Sequence, residues 1–556
     1  MQHIHTIRRR ICAVLTAALI LAMLAMTGLT ASAADAYYTV TLSGTSYGHT
    51  YTAYQILSGT VGEDGDTLEG IVEGIGIDSF ESFLTALQED DTIGSYFAGA
   101  ATANDVAVGL QTEGFDTDAN LVAFANVAAG KTSSSPSASV TANTSSAAMG
   151  LPAGYYLITD VYKGSETNYV VSRNLLIQVT ESRTVAIKDT QPTLTKQIWH
   201  TDAGTYSDAV TASASGWGDA GDNQIGDEVW FLITVTTPDV TGYSKYTYVV
   251  TDTMSESLSF QAESVRVTYG ESETELDASW YTVSEAAENA DGSTTFTVTF
   301  VDMIGMVEEL SLAEDTEIHI YFSAVLTAGD AESGESCSSN TAYLTYSNNP
   351  NGEGTGTTVE DQVYDWSFAV ALEKIDATTG NAITGAVFVL SQNPDLGTLS
   401  AAEGGTIVDA DGTSVESGLI PVTGSEDGTA YQVSASESGS YAITVSSGDG
   451  VTISGLDDGT TYYLYEVTAP VGYSKLTDAT AFIITAAYSA DGSSVNSLAL
   501  QQGEDEAENM TLVIENTSTA ALPETGGTGT AVIYFFGTVL VAGAVILLLI
   551  RRRRPA

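Results

Sequence analysis

Along most of the chain, apolar and polar positions alternate with a period of two. Clear runs are "KYTYVV" (245–250), "TTFTVTF" (294–300), "TEIHIYF" (316–322) and "TLVIEN" (511–516), separated by short Gly/Asn/Asp-rich breaks. Alternation turns one strand face toward a core and the other toward water, so the pattern predicts antiparallel β-sandwiches. A helical period appears in "DSFESFLTAL", where Phe80, Phe83, Leu84 and Leu87 share one face and Asp78 with Glu81 is placed for a capping box. A second helical patch lies in "NLVAFANVAAG". Both fall in the first third, which is therefore expected to be a sandwich with helical insertions.

Both ends of the chain break the pattern. Arg8, Arg9 and Arg10 precede the apolar run "ICAVLTAALILAMLAMTGL", and Ala31-Ser32-Ala33 follows as a small-residue cleavage site. This is the form of a secretory signal, 1–33. Residues 531–550 are apolar and long enough to cross a bilayer as a helix, with Arg551–Arg554 holding that end inside. The remaining length predicts three or four domains. Pro192 stops a strand and marks one boundary; the turn-rich "SNNPNGEGTGTTVEDQ" (347–362) marks another. The expected division is 1–33 signal, 34–190, 191–362, 363–520, and 521–556 as the C-terminal signal.

Charge narrows the partners. All 71 acidic residues lie within 34–525, whereas Arg8–Arg10 and Arg551–Arg554 account for seven of the 17 basic ones. Such a surface repels nucleic acid and anionic membranes and keeps the protein soluble. Removal of the signal takes Cys12 with it and leaves Cys337 without a partner, so no internal disulfide can stabilise the exported chain.

Catalytic and metal motifs are weak. Gly44-Thr45-Ser46-Tyr47-Gly48 fits G-x-S-x-G with His49 adjacent, but it joins two β-like runs and is expected to be a hairpin turn. His49, His200 and His319 lack metal-ligand spacing. "DADGTSV" (409–415) begins like a calcium loop without the closing glutamate, so a surface turn is expected. No metal, cofactor or nucleotide is expected, and no enzymatic activity toward another molecule.

The lysines carry the chemistry. Only seven exist: Lys131, Lys163, Lys188, Lys196, Lys245, Lys374 and Lys475. In the third domain "FAVALEKIDATTGNAITGAVFVL", "TYYLYEVTAPVGY" and "TLVIEN" follow one another, and the set resembles the Cna-B-type domain that forms its own isopeptide bond. The matching positions are Lys374, Glu466 and Asn516. The middle domain, with "PTLTKQI", "YVVTDTMSESLSF" and "SSNTAYLTYSN", resembles the Cna-A-type fimbrial domain, and Lys196, Asp252 and Asn340 match. The resemblance implies Lys196–Asn340 and Lys374–Asn516 cross-links, with Asp252 and Glu466 as the catalytic acids. The chemistry requires burial. An amine attacks only when neutral, and apolar surroundings lower a lysine pKa while raising that of an acid. The acid can then hydrogen-bond the amide and shuttle protons as ammonia leaves. The first domain has no lysine in its opening strands, and Asp160 stands where the acidic box would be, so no such bond is expected there.

At the C-terminus, Leu522-Pro523-Glu524-Thr525-Gly526 before an apolar span and a basic end resembles the cell-wall sorting signal of Gram-positive surface proteins. That resemblance implies cleavage after Thr525 by a sortase. The whole arrangement resembles a major shaft pilin of sortase-assembled pili. It implies a fimbrial subunit joined through Thr525 to a lysine of the next copy, in a head-to-tail polymer supporting adhesion. Lys188 holds the place of the acceptor, although Ala186-Ile187 precede it where the usual motif has Tyr-Pro; Lys131 and Lys163 are the other candidates. Implied partners are pilin-type and housekeeping sortases, minor tip and base pilins, peptidoglycan, and host or bacterial surface ligands. The implied location is the cell wall surface after a transient membrane tether. A monomeric adhesin anchored to peptidoglycan through Thr525 is the alternative.

Overall fold

A computed structural model describes residues 36–187, 191–200, 204–207, 210–328, 335–402, 405–436, 439–519 and 528–552, with side chains of the last segment described for 534–548. Residues 1–33, Lys188 and 522–526 lie outside the described residues. The described chain is mainly β and builds tandem immunoglobulin-like sandwiches.

The N-terminal region has two sheets and a helical cap. Strand β1 (Tyr38–Ser43) pairs with β3 (Ser146–Leu151) and, in parallel, with β6 (Arg183–Ala186). Strand β2 (His49–Val61) instead pairs with β4 (Gly154–Tyr162), which pairs with β5 (Leu175–Val179). Residues 44–48 therefore form a corner between two sheets and not the expected hairpin, with Gly44 and Gly48 both at positive φ, where a Cβ is strained. Three helices of two turns or more, α1 (Phe80–Glu89), α2 (Ala103–Leu110) and α3 (Asp118–Ala129), pack on β2 and β4 around Phe83, Phe97, Phe115 and Phe124. The cap of α1 differs from expectation: Ser79 accepts from the Ser82 N–H, one position on from the predicted Asp78–Glu81 box. Helix α2, not anticipated, carries the true capping box, between Thr102 and Asp105.

The middle region is a sandwich. One sheet runs β7 (Leu194–Trp199), β9 (Glu228–Thr236), β13 (Glu317–Leu326), β11 (Leu258–Tyr269). The facing sheet runs β12 (Thr294–Phe300), β10 (Tyr248–Met254), β14 (Glu335–Ser347). Strand β12 shows how sequence becomes packing: Phe296, Val298 and Phe300 are buried and the alternate threonines are not.

The third region begins without a break. Strand β15 (Asp361–Asp376) pairs with β14 through its first half and with β17 (Val451–Leu456) and β21 (Thr511–Asn516) through its second. The short β8 (Ala220–Asp222) adds to it in parallel. The division expected at 362/363 thus falls inside a continuous strand, and one hydrophobic core runs through both regions. The second sheet of this region runs β16 (Val387–Ser391), β18 (Thr461–Thr468), β19 (Thr480–Tyr488), β20 (Val495–Gln502).

The last element is a helix, Thr528–Arg552. Its described side chains cover less than the ~20 residues a span takes, and among the described residues no helix is long and apolar enough to cross a membrane.

Candidate functional site

Two buried lysine clusters stand out. In the middle region Lys196 lies on β7 with its side chain turned into the sandwich, 1% exposed. Its Nζ donates to Asp252 Oδ2 at 2.5 Å and lies 5.1 Å and 4.8 Å from the ring centroids of Phe231 and Phe322. Those rings are cross-strand partners on β9 and β13; both faces of these two strands are largely buried, and the box is built on the face that also carries the main core. Asp252, fully buried, comes from β10 on the facing sheet. Asn340 lies on β14, two residues from Ala342, the residue opposite Asp252, and therefore on the same face. It too is fully buried, and both atoms of its amide lack a geometric hydrogen bond among the described residues. Burial lowers the Lys196 pKa against the attraction of Asp252. Burial likewise raises Asp252, against Lys196 and, more weakly, the nearby Asn340.

In the third region Lys374 (1% exposed) lies on β15 opposite Ile514 of β21, and its Nζ donates to the Ile514 carbonyl at 2.8 Å. Asn516 is two residues beyond Ile514, on the same buried face. Its Nδ2 donates to Glu466 Oε1 and Oε2, both at 3.0 Å, and to the Ser474 carbonyl at 2.9 Å, while Oδ1 has no partner among the described residues. Glu466 comes from β18 on the facing sheet and is fixed by the Leu476 N–H at 2.7 Å. Burial pulls Lys374 down to about 8, against Glu466 and Glu515. Each cluster therefore brings together an amine, an acid and a carboxamide away from water.

The clusters differ in geometry. Lys374 and Asn516 lie on neighbouring parallel strands of one sheet, with the acid across the core. Lys196 faces acid and amide together across the sandwich. Sequence reading missed the aromatic box and the backbone holders at Ser474 and Leu476. Phe322 ends an alternating run and Phe231 lies in the continuous apolar run "VWFLI" (229–233), which marks both as core, and nothing in the sequence pairs them with Lys196.

The N-terminal region has a different buried group. Asp160 accepts from Ser172 N at 2.8 Å and from its hydroxyl at 3.0 Å, and its Oδ2 lies 2.8 Å from His49 Nδ1. The pair is enclosed by Tyr162 and Tyr169, stacked at 4.0 Å. The Ser hydroxyl faces the acid and not the histidine, so this is no nucleophile–base pair. The 409–415 stretch is a turn, in which Asp409 Oδ1 accepts from the Asp411 and Thr413 amides. Cys337 is a free thiol.

Residues 368–496 match the SpaA prealbumin-like fold domain. The matched stretch holds Lys374 and Glu466; Asn516 follows its end. No curated protein matches the chain in sequence. Among solved structures, the T6 backbone pilin of serotype M6 Streptococcus pyogenes is similar at TM-score 0.46 and 16% identity, over 88% of this chain and 100% of that one. The major pilin SpaD of Corynebacterium diphtheriae gives 0.44 and 17%, over 87% and 98%. The fimbrial protein FimP of Actinomyces oris gives 0.42 and 14%, over 89% and 100%. At such scores and identities these likenesses carry no argument about function.

Proposed function

We propose that the chain is the shaft subunit of a covalent surface pilus, with regions 34–190, 191–362 and 363–520 as its domains. In this reading Lys196–Asn340 and Lys374–Asn516 close as isopeptide bonds. The observation that carries it is the Glu466 carboxyl holding the Asn516 amide beside a buried, pKa-depressed Lys374. The neutral Lys374 Nζ attacks the Asn516 side-chain carbonyl carbon; Glu466 passes a proton to the departing nitrogen, which leaves as ammonia, and recovers one from the attacking amine. Asp252 plays the same part for Lys196 and Asn340.

Each bond would close a loop of well over a hundred residues. By the loop-closure estimate that is worth roughly 5 kcal/mol through the unfolded state. The bonds would also carry tension past strands that could otherwise be unzipped, which suits a subunit under pull. Strand β15 supports the same role, since it links the two cross-linked regions without a flexible joint.

Export by the 1–33 signal, tethering by 531–550, sortase cleavage after Thr525 and transfer to Lys188 of the next copy complete the proposal. The partners are sortases, further copies, tip and base pilins and peptidoglycan, and the location is the wall surface. The test is the intact mass of residues 34–525, expected two ammonia molecules below the calculated value. A high-mass ladder on a boiled denaturing gel, after co-expression with the cognate sortase, separates a pilus subunit from a monomeric adhesin.

A further inference from the structure

A cavity of about 470 Å³ opens where the middle region meets the third, away from both lysine clusters. Tyr206 and Trp230 line it, both half-buried, with their rings stacked at 4.0 Å and 18°. Asn223, Gln224 and Asp227 line it from the segment that follows β8, and Gln392 reaches it from the third region. Gln392 Nε2 donates to Gln224 Oε1 at 3.2 Å, joining the two regions. The Gln224 N–H donates to Asp227 Oδ2 at 3.2 Å, and Asn223 Nδ2 to Asp365 Oδ1 at 2.7 Å. These bonds leave the Gln224 side-chain nitrogen, Gln392 Oε1 and the Trp230 indole N–H without a partner among the described residues.

The inventory selects a ligand class. No Lys, Arg or His is among the described lining residues, while Asp227, Glu228 and Asp457 are, so an anionic ligand is repelled. A cation would meet carboxylates but would leave the indole N–H and amide N–H donors of the lining residues unused. A neutral polyol can use both the donors and the acceptors that remain among the lining residues. Its hydroxyls donate to carboxylate and amide oxygens and accept from amide and indole N–H groups, and its C–H face packs on an aromatic ring. The volume lies in the range of small-molecule sites, and a seam between domains is a common place for one.

We propose that this cavity binds one or two residues of an uncharged glycan. The inference goes beyond the shaft reading and does not depend on polymerisation. The mature chain, 34–525, is titrated with lactose, cellobiose and N,N′-diacetylchitobiose by calorimetry and tryptophan fluorescence, and then applied to an array of neutral and acidic glycans. At least one neutral glycan is expected to bind and perturb the fluorescence, and its sialylated or uronate-bearing counterpart is not. Gln392 is exposed, so Gln392→Ala leaves the fold intact; it and Asp227→Asn are each expected to weaken binding about tenfold, the loss of one ligand hydrogen bond. The proposal is overturned if no neutral glycan on the array binds the folded protein. It is equally overturned if both variants bind like the parent, or if spermidine binds in place of every glycan.

Discussion

Asn516 lies one diagonal step from Lys374, two residues past Ile514, the Lys374 partner in the parallel ladder of β15 and β21. Because side chains alternate, that step puts both on one buried face. A one-residue slip would turn Asn516 out to water.

In the proposed reaction Glu466 is the acid of this neighbourhood. Glu466→Ala is expected to add one ammonia to the intact mass and to lower the melting temperature. Loss of roughly 5 kcal/mol of loop closure corresponds to a drop of about 10–20 °C in a unit of this size. If the variant still falls two ammonia molecules below its own calculated mass, the acid is misassigned.

Asp252→Ala tests the other geometry. It is expected to restore one ammonia and also to leave Lys196 buried without a counter-charge. A broken buried pair costs about 3–5 kcal/mol, on top of the lost cross-link, so this variant is expected to fall further than Lys196→Met when both are followed by thermal melting. A smaller fall for Asp252→Ala would mean that the Phe231–Phe322 box alone sustains the amine.

The speed of closure should follow the lysine. With Lys374 pulled down to about 8, its neutral fraction falls about tenfold per pH unit below that value. Refolding unreacted chain at pH 5 is expected to yield the third-region bond far more slowly than at pH 8, read as the rate of ammonia loss by mass. A pH-independent rate would remove the amine from the slow step.

Strand content is legible in the sequence because alternation is a local feature. The two lysine sets and their acids are legible only through the motif resemblance, and the structure brings the members of each set into one neighbourhood. What the sequence conceals depends on long-range pairing. The Gly/Asn-rich 347–362 stretch looks like a linker, yet its last two residues begin β15, which pairs with β14 and runs on through the expected boundary. The 44–48 turn looks like a hairpin because both flanks read as strands, but their partners lie a hundred residues away. His49 reads as a turn neighbour and is in fact buried against Asp160.

A second pH effect is set by the seam between the regions. Burial pushes Asp365 up to about 7, with Asn223 opposing and Asp227 and Asp457 adding to the rise, and burial pushes Asp457 up to about 6. A carboxyl raised on folding holds a proton that the unfolded chain has released. Its contribution is therefore full below the ordinary value near 4 and lost as pH rises through about 7. Melting temperature is expected to decline from pH 5 to pH 8, and Asp365→Asn should flatten the decline. An unchanged slope in that variant would shift the cause elsewhere.

The last prediction concerns the junction between copies. Lys188 follows Ile187, which is buried and whose N–H donates to the Ser43 carbonyl at 2.8 Å, so the chain is pinned to β1 up to the residue before the lysine. A lysine amine at the reference pKa is almost wholly ammonium and needs an enzyme to supply the acyl group; Lys196, eight positions on from Lys188, is sealed from any enzyme by its burial. The rivals are Lys131, whose Nζ donates to Ser82 Oγ at 3.0 Å, and the exposed Lys163. Lys188→Ala, co-expressed with the cognate sortase, is expected to abolish the polymer ladder while the monomer keeps its two-ammonia deficit and is still wall-linked through Thr525. Lys131→Ala and Lys163→Ala should polymerise as the parent does. A normal ladder from Lys188→Ala, with loss in either of the others, would move the junction to that lysine and leave the two internal bonds untouched.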